Sequence, residues 1–252
     1  MTSSTEAARA ALVSRAALLA GAGSGAVTLL ALQLQPRFGL GAGYPVRVAF
    51  VAAGVMAVAL TGLGAYHPFP RLGPANLVTG LRALLVALLA AVALESATVA
   101  PGWWLIVTAA IAASLDLADG WLARRSGLTS VFGARFDMEV DALLILVLSA
   151  LVWRQDKAGA WVLASGLMRY AFAAAALVRP WLNRALPASW RRQAVCVVQI
   201  AALIVALAPV VPVPASLALA AASLALLTWS FGVDVAWLAA RRGAPVNEAR
   251  RT

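Results

Sequence analysis

Four aspartates stand within 26 residues of an otherwise apolar chain: Asp116, Asp119, Asp137 and Asp141. On a helix, spacings of three and four residues place both members of a pair on one face. Gly127 and Gly133 lie between the two pairs, and this predicts a short turn that brings two helix ends, and so all four carboxylates, together. Oxygen ligands without a neighbouring His or Cys favour a hard cation, Mg²⁺ or Mn²⁺.

Carboxylates this close repel one another unless positive charge lies between them. Ionisable groups at membrane depth are costly, so they indicate function by default. Two metal ions a few ångströms apart would suit four carboxylates, and such pairs are typical of phosphoryl-transfer chemistry. A single aspartate is usually a helix cap, but two paired sets are hard to explain as caps. A divalent-cation transporter is the alternative, although transport sites usually lie nearer the membrane midplane.

The elements that carry these acids are apolar. Hydrophobic residues make up 63% of the 252 residues and charged residues 12%, and the mean hydropathy is +0.88. Apolar segments lie at about 13–34, 46–65, 77–97, 103–123, 137–153, 159–178, 193–211 and 215–240. Helices satisfy their backbone groups within lipid and need about 20 residues to cross it. The sequence therefore predicts an all-α, polytopic membrane helical bundle of about eight transmembrane helices.

The basic residues predict how this bundle is oriented. The net charge is +10, but the arginines are spread between apolar segments, which argues against a nucleic-acid partner. Fifteen of the 20 basic residues fall on the side of both termini and the aspartates, and Arg169 falls within an apolar segment. Four fall on the other side: Arg37, Arg47, Arg154 and Lys157. By the positive-inside rule, the termini and the aspartates are expected on the cytoplasmic side of the cell membrane.

The pattern Asp116-x2-Asp119-Gly120-x2-Ala123-Arg124-x8-Gly133-x3-Asp137-x3-Asp141 resembles the signature of the CDP-alcohol phosphatidyltransferase family, position by position. The resemblance covers about residues 70–240 and implies a six-helix core. It divides the chain into an N-terminal extension with two transmembrane helices (1–70), the core (71–242) and a cytoplasmic tail (243–252). It also suggests a homodimer.

The resemblance implies a phospholipid-synthesis reaction at the membrane surface. A non-catalytic relative of the family that uses the same acidic cluster is, beside the transporter, the alternative. A CDP-linked lipid, commonly CDP-diacylglycerol, gives its phosphatidyl group to an alcohol acceptor and releases CMP. By position, the four aspartates would bind the metal ions, and Asp141 would also be the catalytic base. Three residues, Gly120, Ala123 and Arg124, would lie along the CDP moiety. Gly133 would allow close packing in the turn and would belong to the same CDP-binding set.

A second stretch, Pro74-Ala75-Asn76-x2-Thr79-x2-Arg82, is similar to the Pro-Asn-x-x-Thr-x-x-Arg opening of the family's first core helix. Ala75 is inserted between the proline and the asparagine. The resemblance implies that Thr79 reaches the nucleotide. Read without it, the stretch is an ordinary helix start with Asn76 as its cap.

Three arginines are candidates for binding a phosphorylated acceptor such as glycerol 3-phosphate or inositol phosphate. Arg169 lies inside an apolar segment and needs a partner there, for which Asp234 is a candidate. Arg191 and Arg192 open the next segment. Guanidinium groups suit phosphate, but arginines at a segment end also arise from topology and from contact with lipid headgroups.

Overall fold

The computed structural model describes residues 2–69, 71–95, 102–126 and 128–242. The α-helices are α1 (Thr2–Arg37), α2 (Tyr44–Tyr66), α3 (Pro74–Ala93), α4 (Trp103–Ser126), α5 (Val131–Arg154), α6 (Ala164–Val178), α7 (Trp190–Leu207) and α8 (Val213–Ala240). Short 3₁₀ helices at Ala160–Leu163 and Pro180–Asn183 flank α6. No strand occurs in the described ranges, so the predicted all-helical fold is confirmed.

The chain is a multi-pass membrane protein by the length and composition of its helices. Within the described residues, 6 helices are long and apolar enough to cross a bilayer, namely α1, α2, α3, α7 and α8 with α6 extended by its 3₁₀ turn. In α4 the apolar part is shorter, Trp103–Asp116, because the aspartates begin where that part ends. The acids therefore begin at the end of the apolar part and not at the end of the helix, because α4 continues to Ser126 and α5 already begins at Val131. The expectation that the acids stand at helix ends is wrong in this respect.

Residues 1–147 form one compact unit. The α3 helix is its centre, because α3 packs against α1, α2 and α4 and buries most of its own length. At the end where α3 begins, Leu12, Ala16, Leu63 and Phe132 form an apolar cluster. At the other end, Arg47 of α2 pairs with Glu95, just after α3, and the Tyr44 hydroxyl donates to the Leu88 carbonyl at 3.2 Å.

Residues 148–252 form a second compact unit. Its α7 and α8 helices pack as a hairpin, and the Ser216 hydroxyl of α8 donates to the Ala206 carbonyl of α7 at 2.9 Å. The Lys157 ammonium donates to the carbonyls of Ala208 at 3.2 Å and Val211 at 2.5 Å. A cation at a helix carboxyl end is favourable because the carbonyls there have no intrahelical partners.

Candidate active site

One face of α3 carries the polar residues of the site in the first compact unit. The helix begins at Pro74, where the missing N–H costs nothing, and its cap residue is Gly73. The alternative interpretation of Asn76 as the cap is therefore wrong: Asn76 lies within the first turn and is buried. Thr79 is also buried, and its hydroxyl donates to the Ala75 carbonyl at 3.0 Å.

Arg82, two turns into α3, holds the site together. Its side chain is fully buried, and its Nε donates to the Ala112 carbonyl of α4 at 3.1 Å. One terminal nitrogen, Nη1, lies 2.9 Å from Oδ1 of Asp116 on α4 and 2.5 Å from Oδ1 of Asp137 on α5. The other, Nη2, donates to Oδ1 of Asp141. One guanidinium therefore joins three helices and three carboxylates.

The three carboxylates form a cluster that fits a hard metal ion. Asp116, Asp137 and Asp141 each offer an oxygen within 4.8 Å of the others. Their side chains are 29%, 37% and 20% exposed, so an ion can reach them while Arg82 stays buried behind them. An oxygen-only donor set of this charge suits Mg²⁺ or Mn²⁺ better than softer metals.

The start of α5 differs from the prediction. The helix begins at Val131, six residues before the expected 137, so Gly133 is helical and not part of the turn. Ser130 explains the earlier start, because its hydroxyl accepts a hydrogen bond from the Gly133 N–H at 3.0 Å and so caps the helix. A Cβ on Gly133 would lie 2.7 Å from Oδ1 of Asn76. The close packing expected at Gly133 is thus packing of α5 against α3.

The remaining signature residues belong to the last turns of α4. Gly120 is a half-buried residue of α4. The side chains of Asp119, Ala123 and Arg124 lie outside the part that the structure describes, as does Gly127. A nucleotide-binding role for Gly120, Ala123, Arg124, Gly133 and Thr79, and metal binding by Asp119, remain predictions.

Arg82 belongs to the stretch that is similar to the opening of the family's first core helix, but the sequence alone assigns it no role. The structure places it inside an apolar helix with no exposed surface. The signal was present in the chain: Asn76, Thr79 and Arg82 follow one another at three-residue spacing on one helix face. An arginine in that position needs an acidic partner, and the sequence offers few.

The acceptor candidates belong to the second compact unit. Arg191 and Arg192 both pair with Asp234 of α8, and Arg191 also donates to the Ser230 carbonyl at 2.5 Å. Asp234, the partner suggested for Arg169, thus accepts from these two arginines. Arg169 lies in α6.

A family model described as CDP-alcohol phosphatidyltransferase matches residues 73–233, which is more than half of the chain. The chain therefore belongs to the CDP-alcohol phosphatidyltransferase family, whose members are phosphotransferases that transfer substituted phosphate groups. The match begins at the cap of α3, so α1 and α2 lie before it. No curated protein and no solved structure gives a match.

This membership makes the chain a membrane transferase of phospholipid biosynthesis that takes a CDP-alcohol donor and an alcohol acceptor. Enzymes of the family typically use divalent cations, and the aspartate cluster is a site that could bind one.

Proposed function

We propose that this enzyme transfers the phosphatidyl group of CDP-diacylglycerol to a phosphorylated alcohol, such as glycerol 3-phosphate or an inositol phosphate, and releases CMP. The observation that carries the proposal is the convergence of Asp116, Asp137 and Asp141 on the buried Arg82. A partly exposed acidic cluster backed by a fixed cation suits a reaction that handles a diphosphate and its metal ions.

In this proposal the acceptor hydroxyl oxygen attacks the phosphorus that bears the diacylglycerol. The bond from that phosphorus to the bridging oxygen breaks, and CMP leaves with the electron pair. Asp141 takes the hydroxyl proton, and its bond to Arg82 holds the carboxylate in one orientation. A positioned base of this kind contributes about 10²–10⁴-fold to the rate.

Two Mg²⁺ ions are proposed to be held by Asp116, Asp119, Asp137 and Asp141, and Mn²⁺ is the substitute. When bound, such ions neutralise the diphosphate and stabilise the charge that develops on the leaving phosphate. The residues proposed to line the CDP moiety are Gly120, Ala123, Arg124, Gly133 and Thr79.

A phosphorylated acceptor is favoured by the charges around Asp234. Two guanidinium groups, of Arg191 and Arg192, share this one carboxylate, so the group keeps a net positive charge. Their side chains are 22% and 30% exposed, which leaves both able to meet an anion. Arg169 is proposed as the third acceptor-binding residue.

The test is CMP release from CDP-diacylglycerol by the purified protein, with Mg²⁺, Mn²⁺ or EDTA. The acceptor panel contains glycerol 3-phosphate, inositol phosphate, glycerol, inositol and choline. We expect release only with a divalent ion and with a phosphorylated acceptor. Asp141→Asn should lower the rate about 10²–10⁴-fold, whereas Glu139→Gln, which removes an exposed acid from the same helix, should retain it.

Release with choline or glycerol alone would overturn the acceptor assignment and leave the reaction class intact. If no acceptor supports release and Asp141→Asn changes only the flux of divalent ions, the transporter alternative is correct.

Three further features are proposed on sequence grounds. The aspartates and both termini face the cytoplasm, the chain forms a homodimer, and the division at residues 70 and 242 separates extension, core and tail. Labelling of single introduced cysteines from each side of sealed vesicles tests the first. Crosslinking and mass measurement in detergent test the second.

A further inference from the structure

The end of α2 contacts the first turns of α5 at three places in the first compact unit. The ring nitrogen Nδ1 of His67, directly after α2, lies 3.1 Å from the Ser130 hydroxyl oxygen. The same ring meets Phe132 edge to face, with 5.9 Å between the ring centroids. The guanidinium carbon of Arg135 lies 4.4 Å from the centroid of the Tyr66 ring, within the range of a cation–π contact. These contacts hold the start of the helix that carries two of the clustered aspartates.

The hydrogen bonds of His67 define its tautomer. Its Nε2 lies 2.9 Å from the Arg71 carbonyl oxygen, and because a carbonyl only accepts, Nε2 is the nitrogen that carries the proton. In the neutral imidazole the other nitrogen is then an acceptor, so the Ser130 hydroxyl donates to Nδ1. The same hydroxyl oxygen accepts from the Gly133 N–H at 3.0 Å. Three hydrogen bonds thus run in one direction from the α5 backbone through the imidazole to the Arg71 carbonyl, and bonds in such a chain polarise one another.

This chain of hydrogen bonds fixes the cap of α5. A hydroxyl proton rotates to suit its partners, and Nδ1 gives the Ser130 proton an acceptor while the oxygen stays on the Gly133 N–H. Gly133 is also where α5 packs against α3, since a Cβ there would lie 2.7 Å from Oδ1 of Asn76. Asp137 and Asp141 follow one and two turns later on the same helix. A displacement of the start of α5 would therefore move both carboxylates relative to the buried arginine of α3.

We propose that His67 is a positioning residue of the active site: its neutral ring, protonated at Nε2, holds Ser130 and so sets where α5 presents Asp137 and Asp141. The family match begins at residue 73, so His67 and α2 lie before the part of the chain that the family model covers. The inference rests on the proposed function, because it takes Asp141 to be the base that must lie within reach of the acceptor hydroxyl.

The first test observes the ring directly. His67 is the only histidine in the sequence, so ¹⁵N-histidine labelling of the full-length protein in nanodiscs, isolated through a tag without histidine, gives the NMR signals of one imidazole. At about pH 8, where an unperturbed histidine is neutral, we expect a proton on Nε2 and none on Nδ1. Ser130→Gly removes the hydroxyl but keeps a residue that is tolerated as a helix cap, and it should shift the Nδ1 resonance. A proton on Nδ1, or an Nδ1 resonance that Ser130→Gly does not move, would overturn the proposal.

The second test measures CMP release by two variants that each keep one side of the ring's hydrogen bonding. In His67→Asn the amide oxygen takes the place of Nδ1 and still accepts from Ser130. In His67→Gln the amide reaches the place of Nε2 and leaves Ser130 without its acceptor. We expect His67→Asn to keep most of the turnover rate and His67→Gln to lower it about 10²-fold, the effect of a displacement of about 1 Å. Thr61→Ala is the control on α2, because its hydroxyl donates to the Val58 carbonyl of the same helix at 2.7 Å, and its loss should leave the rate unchanged.

Equal rates in His67→Asn and His67→Gln, at matched melting temperatures, would show a contact that supports the fold only and would contradict the positioning role. The wild-type ring decides the proposal even where a variant does not fold, because a proton on Nδ1 excludes the chain of hydrogen bonds. The two hypotheses fail separately. A protein with the expected ring that releases no CMP contradicts the proposed function alone. A protein that releases CMP but carries its ring proton on Nδ1 contradicts the positioning role alone.

Discussion

Arg82 of α3 and Asp116 of α4 form an ion pair with 2.9 Å between Nη1 and Oδ1, although the arginine has no exposed surface and the aspartate is 29% exposed. The pair thus joins the buried interior to an accessible acidic cluster. Because an arginine cannot lose its proton in a protein, its charge is permanent.

Arg82→Met should destabilise the protein strongly, because three carboxylates would be left facing one another without their cation. Loss of one partner of a buried pair costs about 3–5 kcal/mol. For a chain of this size, each kcal/mol of lost stability lowers the melting temperature by about 2–4 °C. We expect a melting temperature lower by about 10 °C in EDTA, partly restored by Mg²⁺. Thermal unfolding in detergent measures it. Arg37→Met, at the exposed end of α1, is the control, and a melting temperature unchanged in both variants would contradict the role of Arg82.

Gly133→Ala should destabilise the contact between α3 and α5. The added Cβ would meet Oδ1 of Asn76 at 2.7 Å, and such overpacking costs about 1–3 kcal/mol. The double variant Asn76→Ala with Gly133→Ala should recover most of the loss, because the opposing oxygen is gone. Gly54→Ala has open space at its Cβ and should be neutral or slightly stabilising. An equal change in stability in Gly133→Ala and Gly54→Ala would show that the effect comes from replacing a helical glycine and not from the contact with Asn76.

The pair between Arg47 and Glu95 should fix α2 to the end of α3. Glu95 is only 5% exposed, so Arg47→Met leaves a buried charge without its partner and should cost about 3–5 kcal/mol. Replacing both residues, with Arg47→Met and Glu95→Met, should cost less than the single change. A double-mutant cycle on thermal stability gives the coupling. Additive single effects would show that the two side chains act independently.

Lys157 should resist amine-reactive reagents in the folded protein. It is the only lysine in the sequence, it is 7% exposed, and its ammonium donates to two carbonyls after α7. Brief treatment with acetic anhydride, followed by mass spectrometry, should show modification at the N-terminal amine and little at Lys157. Denaturation in SDS should expose it. Equal modification rates before and after denaturation would contradict the buried position.

The helices and the spacing of the paired aspartates could be predicted from the sequence, because both depend only on residues close to one another along the chain. Apolar runs define the eight helices, and the spacing from Asp137 to Asp141 places both on one face whatever α5 packs against. The start of α5 was misplaced because the apolar run begins later than the helix, whose first turns are capped by Ser130 and packed at Gly133.

Long-range partners could not be predicted in this way. Arg82 meets Asp137 and Asp141, which are 55 and 59 residues away in the sequence, and only the packing of α3, α4 and α5 brings them together. The same holds for Glu95, whose partner lies on α2, and for the cavity of about 220 Å³ that Gly80 lines. A void depends on which small residues face one another across helices, and one-dimensional periodicity does not contain that information.

The permanent charge of Arg82 would make the assembly of this protein independent of any metal ion that the aspartates bind. In metal-nucleated domains the ligands repel one another until the ion arrives, so folding waits for the ion. Here the guanidinium of Arg82 is the counterion of the three aspartates, and it is part of the chain from the start of folding. The helices can close around their acids first, and a divalent ion can be loaded, lost or exchanged afterwards without the bundle coming apart.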